Sequence, residues 1–251
     1  MTPTPPDAAY EADVPRVPWG EVAPEFIDTW QQGDHLILLG KTGRGKSTFA
    51  YDVLQRRYEQ AWANVCAFVM KKRDVTSSDL EWDRIMDWPP GFKERRGPIP
   101  RQDRIPHSRL MLWPAYTKAS TFPNDVRQVF LDALDEIMEE GNWTLYLDEA
   151  AYMVQSLGLR TSMDELFTQS RSNGITLLAG SQRPVWVSRA QLSQHCWVSC
   201  FKIGDIEEAT RAAEVMGNRD RYKGVVSTLG QHEFVLVNSI TDKAIISQIG
   251  T

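Results

Sequence analysis

Two short stretches of this chain carry residue types suited to phosphate chemistry. The first is Gly40-Lys41-Thr42-Gly43-Arg44-Gly45-Lys46-Ser47-Thr48. Glycines at this spacing let backbone N–H groups turn inward around phosphate oxygens, and a helix starting at Lys46 adds the positive end of its dipole. Lys46 is then placed to reach the β- and γ-phosphates of a nucleoside triphosphate, and Ser47 offers a hydroxyl to Mg²⁺. The second stretch is Asp148-Glu149, closing the apolar run Leu145-Tyr146-Leu147. An aspartate there suits Mg²⁺ held largely through its waters. A glutamate beside it suits orienting and deprotonating a water for attack on the γ-phosphate. Each stretch has an ordinary alternative: a Gly-rich turn for one, an acid pair capping a helix at Ala150 for the other. Their occurrence together, in this order, predicts a site that binds ATP with Mg²⁺ and hydrolyses it.

Further side chains join the candidate list by position. Gln182 follows the apolar run Ile175–Ala179 and is placed to bridge the γ-phosphate or the attacking water to its neighbours; the alternative is a polar turn closed by Pro184. Trp19, upstream of the loop, is a candidate to stack on adenine, with core packing the competing reading.

The elements that must position these residues alternate between strand and helix patterns. Candidate strands are His35–Leu39, Asn64–Met70, Leu110–Trp113, Trp143–Leu147, Ile175–Ala179 and Trp197–Ile203, with Glu233–Val237 and Ala244–Ile249 as a closing pair. Candidate helices run from Lys46 to about Glu59, from about Asn124 to Glu140, as one or two helices over Ala150–Ser172, and over Glu207–Met216. Val126, Phe130, Leu134, Ile137 and Met138 form one face of the second helix, and Gly141 ends it. Continuous apolar strands separated by helices predict an α/β fold with a mainly parallel central sheet. The loop and acid pair make it a three-layer P-loop NTPase. A glutamate directly after the aspartate, with an extra strand between loop and acid pair, suits the RecA-like, additional-strand (ASCE) ATPases.

Composition bounds the rest. At 251 residues and 42% hydrophobic, the chain has enough apolar mass for one domain without disulfides. A net charge of −5 excludes a uniformly basic nucleic-acid binder, so any nucleic-acid contact comes from local patches. Residues 1–18, with Pro3, Pro5, Pro6, Pro15 and Pro18, read as a flexible Pro-rich leader to a domain over 19–251. The stretch from about 87 to 109 reads as an irregular insertion that is locally basic, with Lys93, Arg95, Arg96, Arg101 and Arg104. Three cysteines without a CxxC spacing predict a reducing compartment, and His195, Cys196 and Cys200 lack the fourth ligand of a structural zinc site. With no long apolar run and no signal peptide, the expectation is a cytoplasmic protein with no membrane contact.

The ordered set of motifs resembles the HerA/FtsK superfamily of DNA-pumping ATPases, in particular small single-domain members from bacteriophages. The matching pieces are Pro18-Trp19-Gly20-Glu21, the P-loop, Lys71-Lys72-Arg73-Asp74, Leu112-Trp113-Pro114, Asp148-Glu149, and Gln169-Ser170-Arg171-Ser172-Asn173-Gly174-Ile175 running into Ser181-Gln182-Arg183-Pro184. The resemblance implies a homo-oligomeric ring, pentamer or hexamer, that threads double-stranded DNA, docked on a phage portal and working in the host cytoplasm. It implies that ATP sits between subunits and that a neighbour's arginine completes the site. Arg171 matches that arginine; Arg160 and Arg189 are alternatives, and Arg44 is a candidate to act in cis. It also implies DNA contacts from Lys71, Lys72 and Arg73, with the basic stretch from Lys93 to Arg104 as a second candidate. A helicase-loader-like remodelling ATPase, a small-molecule kinase and a non-catalytic nucleotide-gated assembly protein are the competing readings.

Overall fold

Among the described residues, nine short strands, β1 (His35–Leu39), β2 (Asn64–Phe68), β3 (Asp83–Ile85), β4 (Arg109–Leu112), β5 (Trp143–Leu147), β6 (Thr176–Ser181), β7 (His195–Phe201), β8 (Glu233–Asn238) and β9 (Ala244–Gln248), form one sheet. The computed structural model describes residues 13–60, 63–71, 76–77, 80–88, 109–115, 122–186 and 195–250. The strand order is β3-β4-β2-β5-β6-β1-β7-β8-β9. All pairings from β3 to β7 are parallel, and β8 and β9 add antiparallel at the edge.

Both faces of the sheet are covered, which is why its strands read as unbroken apolar runs. Helices α1 (Trp19–Thr29) and α2 (Lys46–Gln60) cover one face, where Phe26, Phe49 and Leu54 meet Leu36, Leu38, Tyr146 and Leu178. On the other face, α3 (Phe122–Glu140), α4 (Ala150–Gln155) and α5 (Arg160–Gln169) bring Phe130, Leu134, Met153 and Phe167 onto Leu145, Leu147, Leu177 and Ala179. Helices α6 (Ile206–Val215) and α7 (Arg219–Thr228) extend that layer, setting Ala212, Tyr222 and Val226 against Ile37, Leu39, Val198 and Val235. Each such large side chain contributes roughly 1.5–3 kcal/mol by leaving water. The result is the expected three-layer α/β arrangement.

Two consequences position the candidate site. The Gly-rich loop leaves the C-terminal end of β1, the acid pair leaves the C-terminal end of β5, and β6 lies between them. This is the intervening strand that the sequence implied. At about 4.8 Å per strand the backbones of β1 and β5 stand about 10 Å apart, a gap that the side chains of the two motifs can close.

The structure departs from the sequence reading in several places. Helix α1 was not predicted, and it carries Pro24 inside it, where proline removes a backbone donor. Strand β3 and helix α7 were also unpredicted. The expected boundary at residue 18 shifts. Val14 is buried, Val17 N–H donates to Ile246 O at 2.9 Å, and Ile246 N–H donates to Pro15 O at 2.8 Å, so residues 14–17 belong to the sheet edge beside β9. Residues 1–12, and most of the expected basic insertion (89–108), lie outside the described residues. No described helix is long and apolar enough to cross a membrane.

Candidate phosphate-binding and hydrolytic site

The tight loop after β1 depends on two glycines in particular. Gly40 and Gly45 have φ of 139° and 107°, in the region that side chains disfavour. A Cβ on Gly40 would also lie 2.8 Å from Phe201 Cβ. The loop folds back on Lys46, which is 7% exposed and donates from Nζ to Gly40 O at 2.5 Å and to Lys41 O at 3.2 Å. Burial lowers the Lys46 pKa, while Asp148 and Glu149 pull it the other way. Its ammonium is therefore a cation in need of anionic company.

Asp148 gathers partners from three elements. Ser47 Oγ donates to its Oδ1 at 3.3 Å, and the Tyr146 hydroxyl donates to the same oxygen at 2.5 Å. Lys71, just past the end of β2, places Nζ 2.6 Å from Oδ2. Tyr146 lies two residues before Asp148, on the same face of β5. Its hydroxyl stays protonated, because burial first and the Asp148 charge second drive its pKa well up. Gly180 at the end of β6 is the close neighbour, since a Cβ there would run into the Asp148 carbonyl.

Glu149 is in the opposite condition. Both carboxylate oxygens are enclosed and neither makes a geometrically complete hydrogen bond with a described residue. Burial raises its pKa; the charge of Lys46 and the nearby backbone and side-chain amides of Gln182 oppose that rise. A carboxylate held in this way is more basic than an exposed one, as a proton acceptor requires. Gln182 itself accepts a hydrogen bond on Oε1 from Thr42 Oγ1 at 2.8 Å, linking the end of β6 to the loop.

Ser47 and Asp148 present hard oxygen atoms to one point, the donor set that Mg²⁺ takes, so the residues fit that ion. Among the described residues no cluster of three or more His, Cys, Asp or Glu side chains forms a separate metal site. Cys66 and Cys196 are buried, with pKa values pushed up to about 12 and about 11.

The structure thus brings together Gly40 to Thr48, Asp148, Glu149, Gln182 and Lys71. It separates Arg171, which sits at the start of β6 rather than its end, with its side chain 61% exposed and 3.9 Å from Asp34 Oδ1. Arg160 opens α5 and is exposed. Arg44 turns to Gln231, donating to Oε1 at 2.8 Å, and Gln231 Nε2 donates to Gly43 O at 3.0 Å. Trp19 belongs to the core, packed among Phe26, Phe49 and Phe234, so the stacking expectation gives way to the packing one. Lys72, Arg73 and Arg189 lie outside the described residues. Sequence reasoning missed Tyr146 and Gln231. The period of two along β5 signals Tyr146 once Asp148 is chosen; nothing local signals Gln231.

No protein-family model matches the chain. One curated protein, the DNA packaging ATPase P9 of Enterobacteria phage PRD1, is 26% identical over 178 residues. That match takes in 68% of this chain and spans 64% of the length of P9. Among solved structures, the genome packaging NTPase B204 of Sulfolobus turreted icosahedral virus 2, in complex with AMPPCP, superposes with a TM-score of 0.60 at 15% identity, covering 87% of this chain and 98% of B204. VirB4 of Thermoanaerobacter pseudethanolicus superposes with a TM-score of 0.61 at 10% identity, covering 86% of this chain and 89% of VirB4. The chain is therefore homologous to a phage DNA packaging ATPase and has the P-loop fold of B204 and VirB4, in agreement with the HerA/FtsK resemblance of its motifs.

Proposed function

We propose that this protein is a Mg²⁺-dependent ATPase that moves double-stranded DNA, as the packaging motor of a phage or related element. One observation carries the reading: a glutamate that lacks a complete hydrogen bond among the described residues stands next to Asp148, with one strand between it and a P-loop, in a chain homologous to a packaging ATPase. In this reading the loop amides and Lys46 hold the β- and γ-phosphates, and Lys46 exchanges its contacts with Gly40 O and Lys41 O for phosphate oxygens. Ser47 and Asp148 hold the Mg²⁺. Bound there, the ion neutralises charge on the phosphates. Glu149 accepts a proton from the attacking water at a carboxylate oxygen, and Gln182 orients that water. Tyr146 keeps Asp148 aimed at the ion.

The remaining roles complete the motor. Arg171 is assigned to the nucleotide of a neighbouring subunit in a homo-oligomeric ring, because it is exposed and lies at the far end of β6 from its own loop. Lys71-Lys72-Arg73 is assigned to DNA phosphates, whose sequence-independent contacts suit a motor. The pair between Lys71 and Asp148 supports a link between that segment and the site. A portal partner and the host cytoplasm follow from the same reading.

The test is ATP turnover with and without long duplex DNA. We expect duplex to stimulate phosphate release, Lys46→Ala to abolish nucleotide retention, and Glu149→Gln to retain nucleotide but not turn it over. Stimulation by single strands alone would favour a loader, and phosphate transfer to a metabolite without phosphate release would favour a kinase.

A further inference from the structure

A second cavity lies beside the loop, on the side away from the acid pair. It is a cleft of about 580 Å³, lined among others by Arg16, Trp19, Asp52, Glu233, Gln248 and Gly250. That volume lies within the range of small-molecule sites, roughly 300–1,000 Å³. Its walls abut the loop directly. A Cβ on Gly45 would lie 3.1 Å from Ile249 Cγ2, and one on Gly250 would lie 3.8 Å from Thr48 Cγ2. Asp52 is borne by α2, the helix that the loop opens.

The sheet order gives the cleft a direction relative to a bound triphosphate. The acid pair ends β5, the loop follows β1, and the cleft lies against the end of β9, on the other side of β1. With the γ-phosphate of a triphosphate at Lys46 and Glu149, the backbone N–H groups of the loop would cradle its α- and β-phosphates. A nucleoside that continues away from the acid pair would meet the cleft, which lies on that side of the loop.

The chemistry of the lining narrows what part of a ligand it takes. Asp52, Glu233 and Gln248 give the lining hydrogen-bond acceptors, which suits an uncharged group rich in donors. Glu233 is already engaged: Oε1 accepts from Arg16 Nη1 and Oε2 from Gly230 N–H, both at 2.6 Å. Asp52 is half engaged. Its Oδ2 accepts from Trp19 Nε1 at 2.7 Å and from Arg56 Nε at 2.8 Å, which fixes the carboxylate plane. Its side chain is 30% exposed, and its Oδ1 receives no hydrogen bond from the described residues.

Resting on the nucleotide reading above, we propose that this cleft is the base subsite and that Asp52 Oδ1 accepts a hydrogen bond from the exocyclic 6-amino group of adenine. Trp19 contributes by holding Asp52 in place, not by stacking on the ring. Asp52 is thus a specificity-determining residue, and the cleft discriminates 6-amino from 6-oxo purines.

The experiment measures dissociation constants for ATP, purine riboside triphosphate (which lacks the 6-amino group) and inosine triphosphate (6-oxo), in a Glu149→Gln background that prevents turnover. We expect ATP to bind at least about 10-fold more tightly than either analogue, the size of one charged hydrogen bond. In Asp52→Asn, Trp19 and Arg56 still demand an oxygen, so the amide NH₂ faces the cleft. The ATP advantage should vanish, with inosine triphosphate gaining most. Equal affinities for all three nucleotides in the parent protein would overturn the subsite, and that arm does not depend on the variant folding. If those equal affinities are all lost in Lys46→Ala, phosphate binding stands and only the base reading falls; if no nucleotide binds at all, both fall.

Discussion

The two ends of the same parallel strands treat polar side chains in opposite ways. At the C-terminal ends of β1, β5 and β6, Lys46 rests on loop carbonyls and Glu149 lacks complete hydrogen bonds. At the N-terminal ends, most polar groups are matched to one another, with Thr144 Oγ1 and Arg57 Nε left without a hydrogen bond among the described residues. His35 accepts the Leu177 N–H on Nδ1 at 3.3 Å, so its Nε2–H donates to Ser170 Oγ at 3.0 Å. Gly33 N–H donates to Thr176 Oγ1 at 2.8 Å, and Gln32 Nε2 donates to Trp143 O at 2.9 Å and Gly174 O at 2.6 Å. Arg57 closes this network on Gln32 and on Trp30 O. One end anchors the strands so that the other can hold groups whose partners arrive with a ligand. Unmatched polarity is tolerated where function needs it and is compensated elsewhere in the fold.

Four experiments break or sharpen that contrast. The largest effect is on turnover: Glu149→Gln should lower the hydrolysis rate about 10²–10⁴-fold, the range for removing a general base. A smaller loss would move the proton acceptor to another group. Next is acid sensitivity at the anchored end. Burial lowers the His35 pKa from 6.5 to about 4. The unfolded chain therefore binds a proton that the folded one refuses. The stability contributed by neutral His35 is complete above about pH 6.5 and is lost as pH falls towards 4, by about 3 kcal/mol. Urea titrations at pH 7 and pH 4.5 read this, and His35→Gln should flatten the difference.

The third effect is smaller and opposite in sign to the first. Because the Glu149 carboxylate is enclosed without complete hydrogen bonds, Glu149→Gln should stabilise the fold by about 1 kcal/mol while it removes hydrolysis. A melting temperature that falls would mean that the charge is better compensated than its contacts indicate. The smallest effect is at Arg171, whose pair with Asp34 is long and exposed. Arg171→Ala should change stability by less than about 0.5 kcal/mol. If it also leaves turnover of the assembled protein unchanged, the assignment of Arg171 to a neighbour's nucleotide fails.

Much of this was legible in the residues. The bounds of β1 and β5 follow directly from apolar runs that end at Gly40 and Asp148, and the P-loop and acid pair are local patterns whose chemistry needs no partner to be recognised. Helix α1 was hidden because Pro24 is a helix breaker by local rules, and the packing of Trp19, Phe26, Ile27 and Trp30 overrides it. Strand β3 is too short to show a period. Residues 14–17 look like linker because their hydrogen-bond partner, Ile246, lies at the other end of the chain.

The sequence by itself determined which groups are candidates for chemistry: glycines that bend, a lysine and serine after them, and two adjacent acids at the end of a buried run. Those are properties of neighbours along the chain, where backbone freedom and side-chain type suffice. Only the tertiary structure decided their company. It set Tyr146 and Lys71 on Asp148, Gln231 on the loop and Arg171 at the far end of the sheet, and it opened a cleft between α2 and β9. Those relations join residues far apart in sequence, and they are settled by strand order and by which side chains the core can exclude from water.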